Sequence, residues 1–160
     1  MQDDNGFTHA AREYAPLIYR VAFGYLRSGP DAEDVSQNVL LKLYRRTRDF
    51  ESVEHLKYWL VRVTVNECKS ALKSPRYQEA PIDGLAGAAV FDSPRESELF
   101  QTVMSMEGKY RAVLVLYYYA DYSTAEIAKL LRVPSATVRT RLARARERLK
   151  HLLTMEEEII

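Results

Sequence analysis

Cysteine is nearly absent: Cys68 is the only one in 160 residues, so an internal disulfide is impossible and one thiolate cannot build a zinc site. Histidine is scarce as well. His9, His55 and His151 lie far apart, and none has a partner at zinc-site spacing, so no metal and no cofactor are expected. No apolar run approaches the roughly 18 to 20 residues that span a bilayer, which excludes membrane insertion by a helix. The acidic, polar start of the chain is the wrong chemistry for a signal peptide, and the expected location is the cytoplasm. There is also little net charge, formally +1, although 28% of the residues are charged and 47% are apolar. Such a composition describes a folded protein with room for one ordinary domain or two small ones.

Alternation of period two is missing too, and helical periodicity fills both halves. In the first half Phe7, Ala10, Tyr14, Leu17, Val21 and Tyr25 recur at helical spacing, and Pro16 is expected in the first turn of a second helix. Ser28-Gly29-Pro30-Asp31 reads as a stop and a start, with Asp31 as the cap of a helix that buries Val35, Val39, Leu40 and Leu43. A further helix is expected over about 54–72. Pro75, Pro81, Pro94, Gly84 and Gly87 then punctuate an acidic stretch, read as a linker. The fold class is therefore all-α: two small helical domains, 1–74 and 95–160, joined by a flexible linker at 75–94.

The second domain has shorter helices. Leu99, Val103 and Met106 mark one, Gly108 breaks it, and Tyr110, Val113, Leu114, Tyr117 and Tyr118 mark the next. Of Tyr117, Tyr118 and Tyr119, at least one must be exposed. Ser123 and Glu126 form a capping box for a short helix over 124–131, and Ser135 is expected to cap the last helix. Two helices joined by such a tight turn, the second of them basic, constitute a helix-turn-helix.

That last helix sorts its residues. At 100° per residue Val138, Leu142, Ala145, Leu149, Leu152 and Leu153 fall within about 100° of arc and form the core face. Opposite lie Ala136, Thr140, Ala143, Arg144 and Glu147. Arg139, Arg146 and Lys150 make one shoulder; Thr137, Arg141 and Arg148 make the other. Small and hydrogen-bonding residues on the crest, with cations on both sides, suit a helix in a DNA major groove, where the crest reaches base edges and the shoulders meet phosphates. The N-terminal part, 135–144, should do most of the reading.

Residues 123–150 closely resemble the promoter-reading C-terminal domain of bacterial RNA polymerase sigma factors of the small extracytoplasmic-function (ECF) group. Two stretches of the first half agree. Asp31-Ala-Glu-Asp-Val-Ser-Gln-Asn-Val-Leu-Leu-Lys-Leu-Tyr-Arg-Arg46 resembles the family's polymerase-binding helix, and Lys57-Tyr-Trp-Leu-Val-Arg-Val-Thr-Val-Asn-Glu-Cys-Lys69 its −10 element helix. The resemblance implies a transcription initiation factor that does no chemistry of its own. Its partners would be core RNA polymerase and promoter DNA, with an anti-sigma factor as a common inhibitor in the family.

Carried onto this chain, the family's polymerase contacts fall on Asp34, Gln37, Asn38, Leu41 and Lys42. Contacts with the −10 element fall on Phe50, His55, Arg62, Asn66 and Lys69, with Lys73 along the strand. Contacts with the −35 element fall on Ser135, Thr137, Arg139, Thr140, Arg141, Ala143 and Arg144. Asn38 stands where the family usually has an acid, and Arg132 where its turn commonly has glycine. The resemblance also implies a linker that threads the polymerase's active-site cleft, and an exposed tyrosine at the polymerase flap or an inhibitory partner.

Two rival readings are weaker. A stand-alone helix-turn-helix regulator accounts for 95–153 but leaves 31–46 and 57–69 unexplained. A nuclease using Asp31, Glu33 and Asp34 lacks a second acidic cluster, a histidine base and a phosphate loop.

Overall fold

The computed structural model describes residues 4–74 and 94–159, and the chain divides into two compact units, Met1–Gly87 and Ala88–Ile160. The segment read as a linker lies outside the described residues, apart from Pro94. Every element among the described residues is helical.

The first unit packs three helices, α1 (Asp4–Leu26), α2 (Gly29–Arg45) and α3 (Val53–Leu72), each against the other two. Its core is Ile18, Val21, Ala22 and Phe23 from α1, Val35, Val39 and Leu43 from α2, and Leu60, Val61, Val65 and Cys68 from α3. Thr64 is buried among them and is satisfied because its Oγ1 donates to the Leu60 carbonyl at 2.7 Å.

Two expectations are corrected here. Pro16 opens no second helix: it sits inside a continuous α1. Its face is exposed, as is Arg12, whose carbonyl has no Pro16 N–H to receive, so the backbone group that proline orphans is on the side open to water. Asp31 is not the cap of α2 either. Ser28 is, with extended backbone and an Oγ that accepts from the Asp31 N–H at 3.3 Å, which puts Pro30 in the first turn where its missing donor costs nothing. Arg27, at φ 54°, makes the reversal between α1 and α2. Ser52 caps α3 in the same way, accepting from the His55 N–H at 3.0 Å.

The second unit holds α4 (Pro94–Met104), α5 (Gly108–Leu114), which runs on into a π-helical segment Val115–Tyr119, then α6 (Thr124–Leu131) and α7 (Ser135–Ile159). Helix α4 thus begins at Pro94, and α7 continues through the acidic tail. Gly108 begins α5 rather than ending α4; the Arg111 guanidinium, itself buried, donates to the Met106 carbonyl at 2.6 Å where α4 has finished. Of the residues expected to mark α4, Val103 and Met106 are buried but Leu99 is exposed, and Phe100 and Met104 complete the core instead.

The turn after α6 is of the kind that favours glycine, and here an arginine makes it. Arg132 adopts the left-handed conformation, φ 58° and ψ 46°, that terminates α6, and the next residue's N–H reaches the Ala128 carbonyl at 3.1 Å. The capping box of Ser123 and Glu126 is present in both directions, at 2.9 and 3.2 Å. Ser135 is not the cap of α7. The Pro134 carbonyl receives the first bonds, from the N–H groups of Thr137 and Val138, so Ser135 is already helical.

Candidate nucleic-acid interface

On α3 the buried residues Leu60, Val61, Thr64, Val65 and Cys68 face the core. Opposite them His55, Trp59, Arg62, Asn66, Lys69 and Lys73 fall within about 80° of arc at 100° per residue. Arg62, Asn66 and Lys73 are exposed, and Lys69 is half-buried. The stripe is aromatic at its N-terminal end and cationic further on, around an amide that can both donate and accept.

The aromatic end is built by the loop before α3. Phe50, half-buried, meets Trp59 edge-on at 5.6 Å and His55 at 5.2 Å. The His55 Nδ1 accepts from the Glu51 N–H at 3.1 Å, which leaves Nε2 as the outward ring nitrogen. Four of the five residues expected at the −10 element, His55, Arg62, Asn66 and Lys69, therefore share one helical stripe, with Phe50 packed at its head. Sequence reasoning missed Arg46, whose guanidinium carbon lies 4.2 Å from the Phe50 ring centre and 5.2 Å from that of Trp59.

On α2, Asp34, Gln37, Asn38, Leu41 and Lys42 are all exposed, Leu41 by 44%. Asp34 and Asn38 line a groove against α3 with Asp31, Glu67 and Ser70, whose floor also holds the apolar Leu26, Val35 and Ala71. Lys42 is not free for a partner at no cost: its Nζ is ion-paired with Glu67 of α3. Tyr44, 54% exposed with its ring edge against Phe7 at 5.1 Å, is a further apolar feature of this helix.

On α7 the core face is as expected, with Val138, Leu142 and Ala145 buried, while Leu149, Leu152 and Leu153 are only half-buried. The crest residues Thr140, Ala143 and Arg144 are exposed, and so is Arg139 on one shoulder. Thr137, Thr140, Arg141 and Arg144 share a groove whose other wall is Lys109 and Tyr110 of α5. Ser135, Arg139 and Ala143 lie outside that groove. Tyr110, at core spacing in the sequence, is half-buried and continues beside Arg144 into a second groove with Glu147 and Arg148.

One shoulder cation is committed elsewhere. Arg146 donates from Nε to the Tyr118 hydroxyl at 2.7 Å and lies over the Tyr117 ring at 5.0 Å. The π-helical segment makes this possible. Its wider turn sends Tyr119 to the Phe100 ring, 5.3 Å away and edge-on, and leaves Tyr118 51% exposed beside α7.

Residues 10–76 match the family model for sigma-70 region 2, and residues 97–149 match that for sigma-70 region 4. The chain belongs to the sigma-70 family. Within it the relatives are ECF sigma factors: SigW of Bacillus subtilis is 27% identical over 94% of this chain and 90% of its own length. SigM of Mycobacterium tuberculosis is 29% identical over 94% of this chain and 79% of its own. Among solved structures, the sigma factor RpoE of Bartonella quintana, in complex with the anti-sigma factor NepR, superposes with a TM-score of 0.76 at 21% identity. That match covers 92% of this chain and 96% of RpoE. CnrH, in complex with the cytosolic domain of CnrY, gives 0.68 at 20% identity, over 96% and 90%. The chain is thus a promoter-directing initiation factor of the ECF group, without enzymatic activity of its own. Among the described residues, no helix is long and apolar enough to cross a membrane.

Proposed function

We propose a division of labour in which α2 docks this sigma factor on core RNA polymerase, α3 and its preceding loop open the −10 element, and α7 reads the −35 element, all in the cytoplasm. The observation that carries it is the α3 stripe. An aromatic head formed by Phe50, His55 and Trp59 runs into exposed Arg62 and Asn66, so an unstacked base has a stacking surface beside an amide and cations that follow a single strand.

Docking falls to Asp34, Gln37, Asn38, Leu41 and Lys42, the exposed side of a helix whose other side is core. The Lys42 pair with Glu67 must open, or be shared, when a partner binds. At the −35 element Thr140, Ala143 and Arg144 meet base edges. Ser135, Thr137, Arg139 and Arg141 meet backbone or the margins of the groove. The solved RpoE structure is a complex with the anti-sigma factor NepR, and we extend that mode of control to this chain.

Permanganate reactivity of thymines at the −10 element, with core polymerase and this protein on an active promoter, tests the assignment. Asn66→Ala is expected to reduce opening about tenfold while leaving −35 binding unchanged. Unchanged opening in this variant contradicts the assignment of α3.

A further inference from the structure

The loop from Arg46 to Ser52 is short and polar, yet it is organised around one guanidinium. Arg46 follows the last residue of α2, and its Nε donates to the Arg48 carbonyl at 3.0 Å. The same side chain lies over Phe50, in the middle of the loop, and over Trp59, in the second turn of α3. Phe50 closes the set against Trp59 and His55. The far end of the loop is pinned separately, by the Glu51 N–H on His55 Nδ1 and by the Ser52 cap.

Arg46 is half-buried, whereas its neighbours Arg45 and Arg48 are exposed. It stands outside the apolar core formed by Phe23, Val39, Leu43 and Leu60, so removing its side chain leaves that core filled. A planar guanidinium can lie flat against an aromatic ring and direct an in-plane N–H at a carbonyl, whereas an ammonium is a point charge with no plane to stack.

We propose that Arg46 is a positioning residue for promoter opening. Lying over Phe50 and Trp59, it holds the 46–52 loop in the shape that receives an unstacked base of the −10 element, without itself touching DNA. This rests on the assignment of α3 above. Extruding a base already costs the complex its stacking, and a loop that had to be ordered at the same moment would add to that cost. A loop fixed beforehand removes the second cost.

The test uses the full chain with core polymerase on two forms of one promoter fragment: the duplex, and the same fragment mismatched across the −10 element so that it is already open. Arg46→Ala is expected to lower open-complex formation about tenfold on the duplex and by less than about twofold on the pre-opened form. Arg46→Lys, which keeps the charge without the planar stack, is expected to fail like alanine. Affinity for core polymerase should not change and the unfolding midpoint should fall by no more than a few degrees, whereas the emission of Trp59, the one tryptophan of the chain, should shift. Wild-type activity on the duplex in the same assay checks the underlying functional reading, and its absence would overturn that reading first. Equal loss on both templates, full activity of either variant on the duplex, or lost core binding would overturn the role of Arg46.

Discussion

Arg146 on α7 and Tyr118 on the π-helical segment are joined by a hydrogen bond of 2.7 Å, and the same guanidinium covers the Tyr117 ring. The bond commits one of the shoulder cations of α7 to the π-helical segment that packs beside the helix. Arg146→Ala should therefore lower the stability of the second unit by about 0.5 to 1 kcal/mol, as loss of an exposed cation–π contact does. The salt dependence of DNA binding should stay as it is. Arg141→Ala should do the reverse, leaving stability intact and reducing the salt slope by about one. Thermal melts and binding isotherms at several salt concentrations check both.

Arg144 and Arg141 share a groove, but they differ in what they face. Arg144, exposed on the crest, is expected to carry about 1 to 3 kcal/mol of base discrimination, so Arg144→Ala should change which −35 sequences are used. Arg141→Ala should weaken all promoters alike. Selection from a randomised −35 library reads the difference; equal loss at every sequence for both variants contradicts the division into crest and shoulder.

The helical class, the helix-turn-helix and the core faces of α2 and α7 were legible because each rests on periodicity or on local capping chemistry, as with Ser123 and Glu126. What was not legible depends on tertiary context. Pro16 lies within a helix because its orphaned carbonyl is on an exposed face, which no local rule reveals. Ser28 and Asp31 are both good caps three residues apart, and only the backbone decides between them. Arg46 is one of two adjacent arginines at a helix end, and its role appears only when Phe50 and Trp59 are brought beneath it. Lys109 and Tyr110 come to line the groove of Thr137, Thr140, Arg141 and Arg144 through the packing of α5 on α7. Tyr118 was countable as one tyrosine too many for the core. Which of the three tyrosines faced out was set by the π-helical turn.

Arg132 occupies a left-handed backbone conformation that disfavours side chains with a Cβ. It is exposed, so replacing it removes no packing. Arg132→Gly is expected to stabilise the second unit by about 0.5 to 1 kcal/mol, raising its melting temperature by several degrees. Unchanged or lower stability would mean that the arginine side chain supports the turn in some other way.

Cys68 is fully buried, and burial, followed by the charge of neighbouring Glu67, pushes its thiol pKa far above the ordinary value. An unfolded chain releases the thiol proton from about pH 8.5, while the folded chain keeps it. The contribution of Cys68 is therefore complete below that pH and declines above it, by about 1.4 kcal/mol at pH 9.5. Denaturant unfolding of the wild type and of Cys68→Ala at about pH 7.5 and 9.5 should show a larger decline in the wild type, because Tyr14 and Tyr19, also raised by burial, contribute to both. The native thiol should also resist alkylation at neutral pH.

Genome-wide mapping of transcription start sites in vitro, using fragmented genomic DNA and core polymerase with and without this protein, tests the central claim most directly. The account predicts a set of starts that appear only with the protein, each preceded by the same pair of −35 and −10 sequences at near-constant spacing. Copurification with core polymerase without any new start sites would contradict it.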